Sequence, residues 1–441
     1  MAEMMKDSGC RWIGEIPQNW NTKRIKYIAT LKGRIGWQGL TSDEYQDEGA
    51  YLITGTDFID GGINWDTCVH VPMKRWEEAK EIQIQEGDLL ITKDGTVGKV
   101  AIASGVPGET SLNSGVLRIM PIEGYSRRFL FWVLQSDVFW NWFNYKNSGN
   151  STILHLYQGD FAEFMYAFPN IEEQELIADF LDEHCKQIDD VISDLEKQIE
   201  GLKRYKKSLI TETMTQGIDK TAKYKSTGNP YISSVPVHWE LTRVKYLLDG
   251  LKDGTHGTFD RVDEGEMLLS AKNVFDDGLH ISDNESLISF KDYKSIVANG
   301  YPRKGDVLLS CVGTIGRTCV YEYEQPYAFQ RSTIFMRPKA NVNSYFLSYA
   351  LQANASLVQE KLLVNKSAQD GLYMGAAQNI IIPFTSDCHE QNAIVEYLNN
   401  RLNIVDKQID ERTKNLDIII RLKSSTIFEY VTGKKRVKEV Q

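Results

Sequence analysis

The chain has 441 residues, 42% of them apolar and 25% charged, a globular composition that excludes a disordered or collagen-like protein. No run of 18 apolar residues occurs, and the opening MAEMMKDSGCRWIG lacks an apolar targeting stretch, so the sequence predicts a cytoplasmic chain with no membrane partner. A net charge of −10 argues against an evenly basic surface, yet residues 171–216 alone hold 12 acidic and 6 basic side chains, which leaves room for local basic patches elsewhere.

From the N-terminus, WIGEIPQNWNTKRIKYI (from Trp12) is followed by short apolar runs: YLIT (51–54), DLLIT (88–92) and VLRIM (116–120). Gly, Asp and Asn clusters separate them, which predicts strands joined by turns. Arg128–Asn144 has the pattern of an amphipathic helix. Residues 172–216 contain one glycine and no proline, and they open on Asn170 and Glu173 at capping-box spacing, so they predict a long helix. Within it Ile177, Leu181, His184, Ile188, Val191, Leu195, Gln198, Leu202, Tyr205 and Leu209 keep the four-three spacing of a coiled-coil seam. Lys220–Asn229 reads as a lysine-rich linker.

The same text then begins again. YISSVPVHWELTRVKYL from Tyr231 repeats the opening, KGDVLLSCVGTIGR from Lys304 repeats EGDLLITKDGTVGK from Glu86, and FLSYALQA from Phe346 repeats FLFWVLQS from Phe129. A period this long marks two domain-sized copies, not a solenoid. The second copy predicts strands at MLLSA (267–271), DVLLS (306–310) and TIFMR (333–337), a helix over Ser344–Lys361, and a long helix over 388–432 started by Asp387 and Glu390. The stripe of that last helix is Leu398, Leu402, Val405, Ile409, Leu416, Ile419 and Ile420, broken at Arg412.

The expected fold class is therefore α+β: two repeated, strand-rich mixed domains with two long helices, related by a pseudo-twofold. The expected division is 1–170 for the first domain, 171–216 for the first long helix, 217–385 for the linker and second domain, and 386–441 for the second long helix and tail. A helix of roughly 40 residues spans about 60 Å, too long to lie across one small domain, so the two narrow stripes predict a paired spacer. Two surface helices, each packed on its own domain, are the alternative.

The turns GTVG (95–98) and GTIG (313–316) each follow an apolar strand and precede a basic residue, Lys99 or Arg317. Such a turn can offer backbone N–H groups and a cation to phosphate, although a strand-rich domain needs glycine turns in any case. No Walker loop is present, and GNPY (228–231) lacks the second proline of the amino-methyltransferase signature. Neither H-E-x-x-H nor G-x-S-x-G occurs, so no catalytic residue is assigned. The six cysteines form no C-x-x-C pair and read as free thiols without a structural zinc.

Where the two copies differ, they differ in side chains that read base edges. KGRIGWQG (32–39) carries Arg34 and Gln38 where KDGTHGTFD (252–260) carries Lys252 and His256. Asn113 and Ser114 align with Gln330 and Arg331. With Lys93, Thr96 and Lys99 of the first glycine turn, and Thr314 and Arg317 of the second, these are the candidate DNA contacts. A two-domain scaffold that grips two copies of a protein, with no nucleic-acid role, is the competing expectation; two identical partners would favour similar loops.

The openings IGEIPQNW and ISSVPVHW, the strands GDLLITKDGTVG and GDVLLSCVGTIG, and the helices EEQELIADFLDEHCKQID and HEQNAIVEYLNNRLNIVD together resemble the specificity subunit of type I restriction-modification systems. The likeness covers nearly the whole chain. It implies two target-recognition domains held by antiparallel helices, each domain reading one part of a split double-stranded DNA sequence. It implies two adenine methyltransferase subunits and restriction/translocase subunits as partners. Catalysis would then lie outside this chain, with S-adenosylmethionine, ATP and Mg used by the partners and no cofactor here.

Overall fold

In the computed structural model the described residues are 4–34, 40–148, 154–364 and 371–437. These described residues fall into two compact units, one drawn from the ranges 1–195 and 414–441 and the other from 196–413. Both units therefore take a piece of each long helix, Ile171–Gln216 and Cys388–Val431, and the boundaries cut across the domain division expected from the sequence.

The first unit is built on β1 (Ala29–Gly33), β2 (Ala50–Ile53), β3 (Val69–Val71), β4 (Leu89–Thr92), β5 (Val100–Ile102), β6 (Thr110–Leu112) and β7 (Val116–Pro121). An antiparallel sheet has the order β5-β4-β7-β1, and a second sheet the order β6-β2-β3, with β6 parallel to β2. The run DLLIT shows no polar alternation because β4 is covered on both faces. Leu89 and Ile91 enter the larger core, beneath the helices Arg127–Gln135 and Asp137–Asn147, whereas Leu90 enters a smaller core with Ile53, Ala101 and Leu112.

The second unit repeats this plan with β8 (Leu248–Asp253), β9 (Glu266–Leu269), β10 (Leu287–Ile288), β11 (Val307–Ser310), β12 (Thr318–Val320), β13 (Ala328–Phe329) and β14 (Thr333–Pro338). The sheet orders are β8-β14-β11-β12 and β10-β9-β13, again with one parallel pair, β9 with β13. Val307 and Leu309 face the larger core and Leu308 the smaller. Each unit also anchors its central sheet with a buried carboxylate. Asp88 takes the Arg118 guanidinium at 3.0 Å, and Asp306 takes Arg337 at 2.9 and 2.8 Å.

Within each unit the two helix segments run antiparallel. In the first, Phe180 meets the Tyr430 ring at 4.4 Å and Lys423 pairs with Asp189 at 2.6 Å. In the second, Lys206 pairs with Asp406 at 2.7 Å and Arg412 Nε donates to Gln198 Oε1 at 3.0 Å.

The first seam differs from the expected one at every second position. Leu181, Ile188 and Leu209 are buried and Leu195 and Leu202 half-buried, but between them Cys185 and Ile199 are buried and Ile192 and Lys206 half-buried, where the expected seam had His184, Val191, Gln198 and Tyr205. Moving half of the seam by one residue puts apolar groups where the expected one had His184 and Gln198. Val191 and Tyr205, 46% and 42% exposed, are left on the outside. On the second helix Ile420 is likewise outside, and Leu398, Leu402 and Val405 are buried.

Candidate nucleic-acid interface

The sheet topology brings a specific set of loops together at one end of the first unit. Because β2 and β6 are parallel, both leave their sheet at the same end, and β4 and β1 also end there. The turn after β4 is fixed by Thr92, whose hydroxyl accepts the Lys99 N–H at 2.9 Å and donates to the Thr96 carbonyl. Gly98 is required in this turn: its φ is +85°, and a Cβ would come within 2.6 Å of the Trp140 ring. Lys93 N–H donates to Gly115 at 2.8 Å, Asn113 N–H to Ile53 at 3.0 Å, Thr96 Oγ1 to Gly55 at 3.2 Å, and Leu156 N–H to Lys93 at 2.9 Å. Four separate loops are thereby tied into one surface.

The second unit makes the same surface with different side chains. Ser310 replaces Thr92, its hydroxyl accepting the Arg317 N–H at 3.0 Å and donating to Thr314. Cys311 N–H donates to Ser332 at 2.8 Å, Gln330 N–H to Leu269 at 2.8 Å, Arg331 N–H to Thr255 at 2.9 Å, and Leu372 N–H to Cys311 at 2.8 Å.

The structure brings most of the expected contacts into these two clusters. Lys93, Thr96, Asn113 and Ser114 share the first, and His256, Thr314, Gln330 and Arg331 share the second. Lys93 is half-buried and Arg331 exposed, and neither side chain has a polar partner among the described residues. His256 bonds Asp253 Oδ2 at 2.7 Å and stays exposed. Lys252 lies on the flank of its cluster, beside Gly300, in a cavity of about 300 Å³.

Lys99 and Arg317 stand apart from the turn tips. The Lys99 ammonium reaches the Phe58 carbonyl at 3.4 Å, and the Arg317 guanidinium lies 4.6 Å from the centre of the Phe275 ring. Both lean on equivalent hairpins, Phe58–Ile59 with Gly62–Ile63 and Val274–Phe275 with Gly278–Leu279.

Arg34 requires a correction, since the sequence placed it as an exposed base reader. It is 6% exposed, and its guanidinium donates from Nε to the Leu112 carbonyl at 2.8 Å and from Nη2 to Ser111 Oγ at 3.2 Å. Burial lowers its pKa, and its fork satisfies groups at the end of β6 that the fold removes from water. In this structure Arg34 braces the loop surface from within. Gln38 lies outside the described residues.

One shared feature was not singled out in the sequence. The tetrapeptide pattern Leu-Tyr-x-Gly occurs at 156–159 and at 372–375, 216 positions apart. In both units its leucine is buried and carries the hydrogen bond to the loop after the central strand, while its tyrosine is exposed. The steady offset was the available signal.

Beneath the second turn lies a buried acid. Glu360 is 2% exposed, its Oε1 has no hydrogen-bond partner among the described residues, and a Cβ at Gly316 would collide with its carboxylate. Burial, and then the negative Asp276, push its pKa up to about 8.

The family model for the type I restriction modification DNA specificity domain matches residues 17–201 and 279–415. The MjaVIII specificity subunit of a type I restriction enzyme from Methanocaldococcus jannaschii is 25% identical, covering 96% of this chain and 95% of its own. The EcoBI specificity subunit from Escherichia coli is 24% identical over 91% of this chain and 84% of its own. A chain solved in work on complex assembly and conformational transition of the type I R-M system superposes with a TM-score of 0.69 at 16% identity, covering 95% of this chain and 99% of the other. No helix among the described residues is long and apolar enough to cross a membrane.

Proposed function

Since the chain belongs to the family of type I restriction modification DNA specificity domains, and so gives such a system its sequence specificity without catalysing a reaction, we propose that its two copies read the two halves of a split DNA target. The observation that carries this is the pair of loop clusters at equivalent strand ends. Their backbone hydrogen bonds are kept, while Asn113 and Ser114 become Gln330 and Arg331. A retained frame fixes register on the duplex, and changed polar groups alter which base edges are bonded.

In this reading Lys93, Thr96, Asn113 and Ser114 face one half-site and His256, Thr314, Gln330 and Arg331 the other. Lys99, Lys252 and Arg317 supply flanking phosphate contacts. The long helices pair as an antiparallel coiled-coil spacer with pseudo-twofold symmetry, setting the distance between half-sites, and they dock two adenine methyltransferase subunits. Restriction/translocase subunits join that complex. S-adenosylmethionine, ATP and Mg serve those partners. Sharing phosphate contacts with partner subunits accounts for a DNA-binding chain whose own net charge is −10.

The test is to exchange residues 12–170 for the matching domain of a relative and map the methylated sequence. One half of the target should change and the other remain. A change in both halves, or in neither, rules out the modular reading.

A further inference from the structure

Tyr157 and Tyr373 are 62% and 56% exposed, and they occupy the same place in the two units. Each follows a leucine that is at most 1% exposed and whose N–H is bonded to the loop after the central strand, Leu156 to Lys93 and Leu372 to Cys311. Each also sits in extended backbone at the start of a short helix, Gln158–Phe161 or Met374–Ala377. The backbone beneath the ring is thus pinned, so the chain has little backbone freedom left to lose on binding, and the ring projects from the loop surface. Neither phenol hydroxyl has a hydrogen-bond partner among the described residues.

An exposed aromatic residue is common on protein surfaces, and one alone would call for no explanation. Here the surroundings have diverged and the tyrosine has not. His155 stands where the other copy has Gly371, and Gln158 where it has Met374. Packing does not account for the retention, because the ring is outside both cores. Reading of a particular base does not account for it either, because the neighbouring polar side chains differ as readers of two different sequences would. A group held constant on two such surfaces matches what two different half-sites share, which is the sugar-phosphate backbone.

We propose that Tyr157 and Tyr373 are equivalent, sequence-independent DNA contacts, each donating its phenol hydrogen to a phosphate oxygen while the ring lies against the adjoining sugar. This rests on the DNA-facing role proposed above for the loop clusters. A charge-assisted hydrogen bond of this kind fixes the register of the loops without selecting a base. Because tyrosine is neutral, it adds affinity without releasing a counterion.

The test uses the full-length chain assembled with its methyltransferase subunits, a cognate and a scrambled duplex, and titrations at several salt concentrations. Tyr157→Phe and Tyr373→Phe remove only the hydroxyl and keep the ring. Each should weaken both duplexes by roughly ten-fold, with an unchanged salt slope and an unchanged methylated sequence. Two controls, Lys93→Ala and Arg331→Ala, report on the clusters themselves. If the controls weaken binding and the phenylalanine variants do not, the tyrosine contact is refuted and the cluster reading stands. If neither set has an effect, the cluster reading falls and takes the contact with it. A changed base in either methylated half-site would make the tyrosine a base reader and also overturn the proposal.

Discussion

Gln391 repeats, in the second unit, the hydrogen bonds that Gln174 makes in the first. Gln174 Oε1 accepts the Ser126 N–H at 2.9 Å and its amide donates to the Pro169 carbonyl at 3.0 Å. Gln391 Oε1 accepts the Asn343 N–H at 2.7 Å and its amide donates to the Thr385 carbonyl at 2.9 Å. Both glutamines are buried, so each long helix is tied at its first turn both to the strand segment that leads into it and to the start of a core helix.

Replacing either glutamine with leucine keeps most of its volume and strands a backbone donor and acceptor away from water. Gln174→Leu and Gln391→Leu should each lower unfolding free energy by roughly 2–4 kcal/mol, read by chemical denaturation. A loss of under about 0.5 kcal/mol would mean that water or a backbone shift repairs the site.

The Glu360 carboxyl, raised from 4.5 to about 8, gives the second unit a pH dependence. Between those values the folded chain keeps a proton that the unfolded chain has lost, so stability falls as pH rises through the window and is lowest above about 8. Glu360→Gln should flatten that dependence and stabilise the protein at pH 8.5 by up to about 5 kcal/mol. Parallel thermal melts of the two proteins at pH 5.5 and 8.5 decide it, and equal slopes would show that the acid titrates normally.

Lys99→Ala and Arg317→Ala test the flanking phosphate contacts. Each should weaken binding to all duplexes alike and reduce the salt slope by roughly one unit. Both cations lean on neighbouring hairpins, so unchanged affinity would assign them to packing alone. A shift in sequence preference at constant slope would instead make them base contacts.

The spacer proposal predicts a re-spaced target. Seven residues inserted after Leu195, matched by seven before Leu416, keep the four-three phase and add about 10 Å of helix. The gap between half-sites should change by roughly three base pairs, at about 3.4 Å per pair. Methylation mapping that returned the original gap from a folded complex would place the ruler outside the helices.

Periodicity in the sequence was sufficient for the long helices, since neither has a proline and both have a start signal. It was insufficient for half of one seam, because residues 184/185, 191/192 and 198/199 offer adjacent choices and only packing against the partner helix selects Cys185, Ile192 and Ile199. The strands around 89–92 and 307–310 were legible because burial on both faces leaves an unbroken apolar run. The loop surface was legible as a set of differences between copies. Arg34 shows the limit of that method: a guanidinium next to a glycine-rich loop looks the same in sequence whether it faces solvent or satisfies the carbonyl of Leu112. The retained tyrosines lie in a match of only four positions, LYQG against LYMG, which is short beside the longer repeats around it.

The core of the first unit contains Ile427 and Val431 beside Trp20, Ile177 and Leu181. During synthesis the unit begun first is therefore completed only after the whole second unit has left the ribosome. Until residues near 430 arrive, an apolar surface on the early unit stays uncovered, a period when chaperone capture or aggregation competes with folding. A truncation that removes the second helix beyond Thr413 would injure the opposite end of the sequence, exposing the N-terminal unit while leaving the second unit's residues intact.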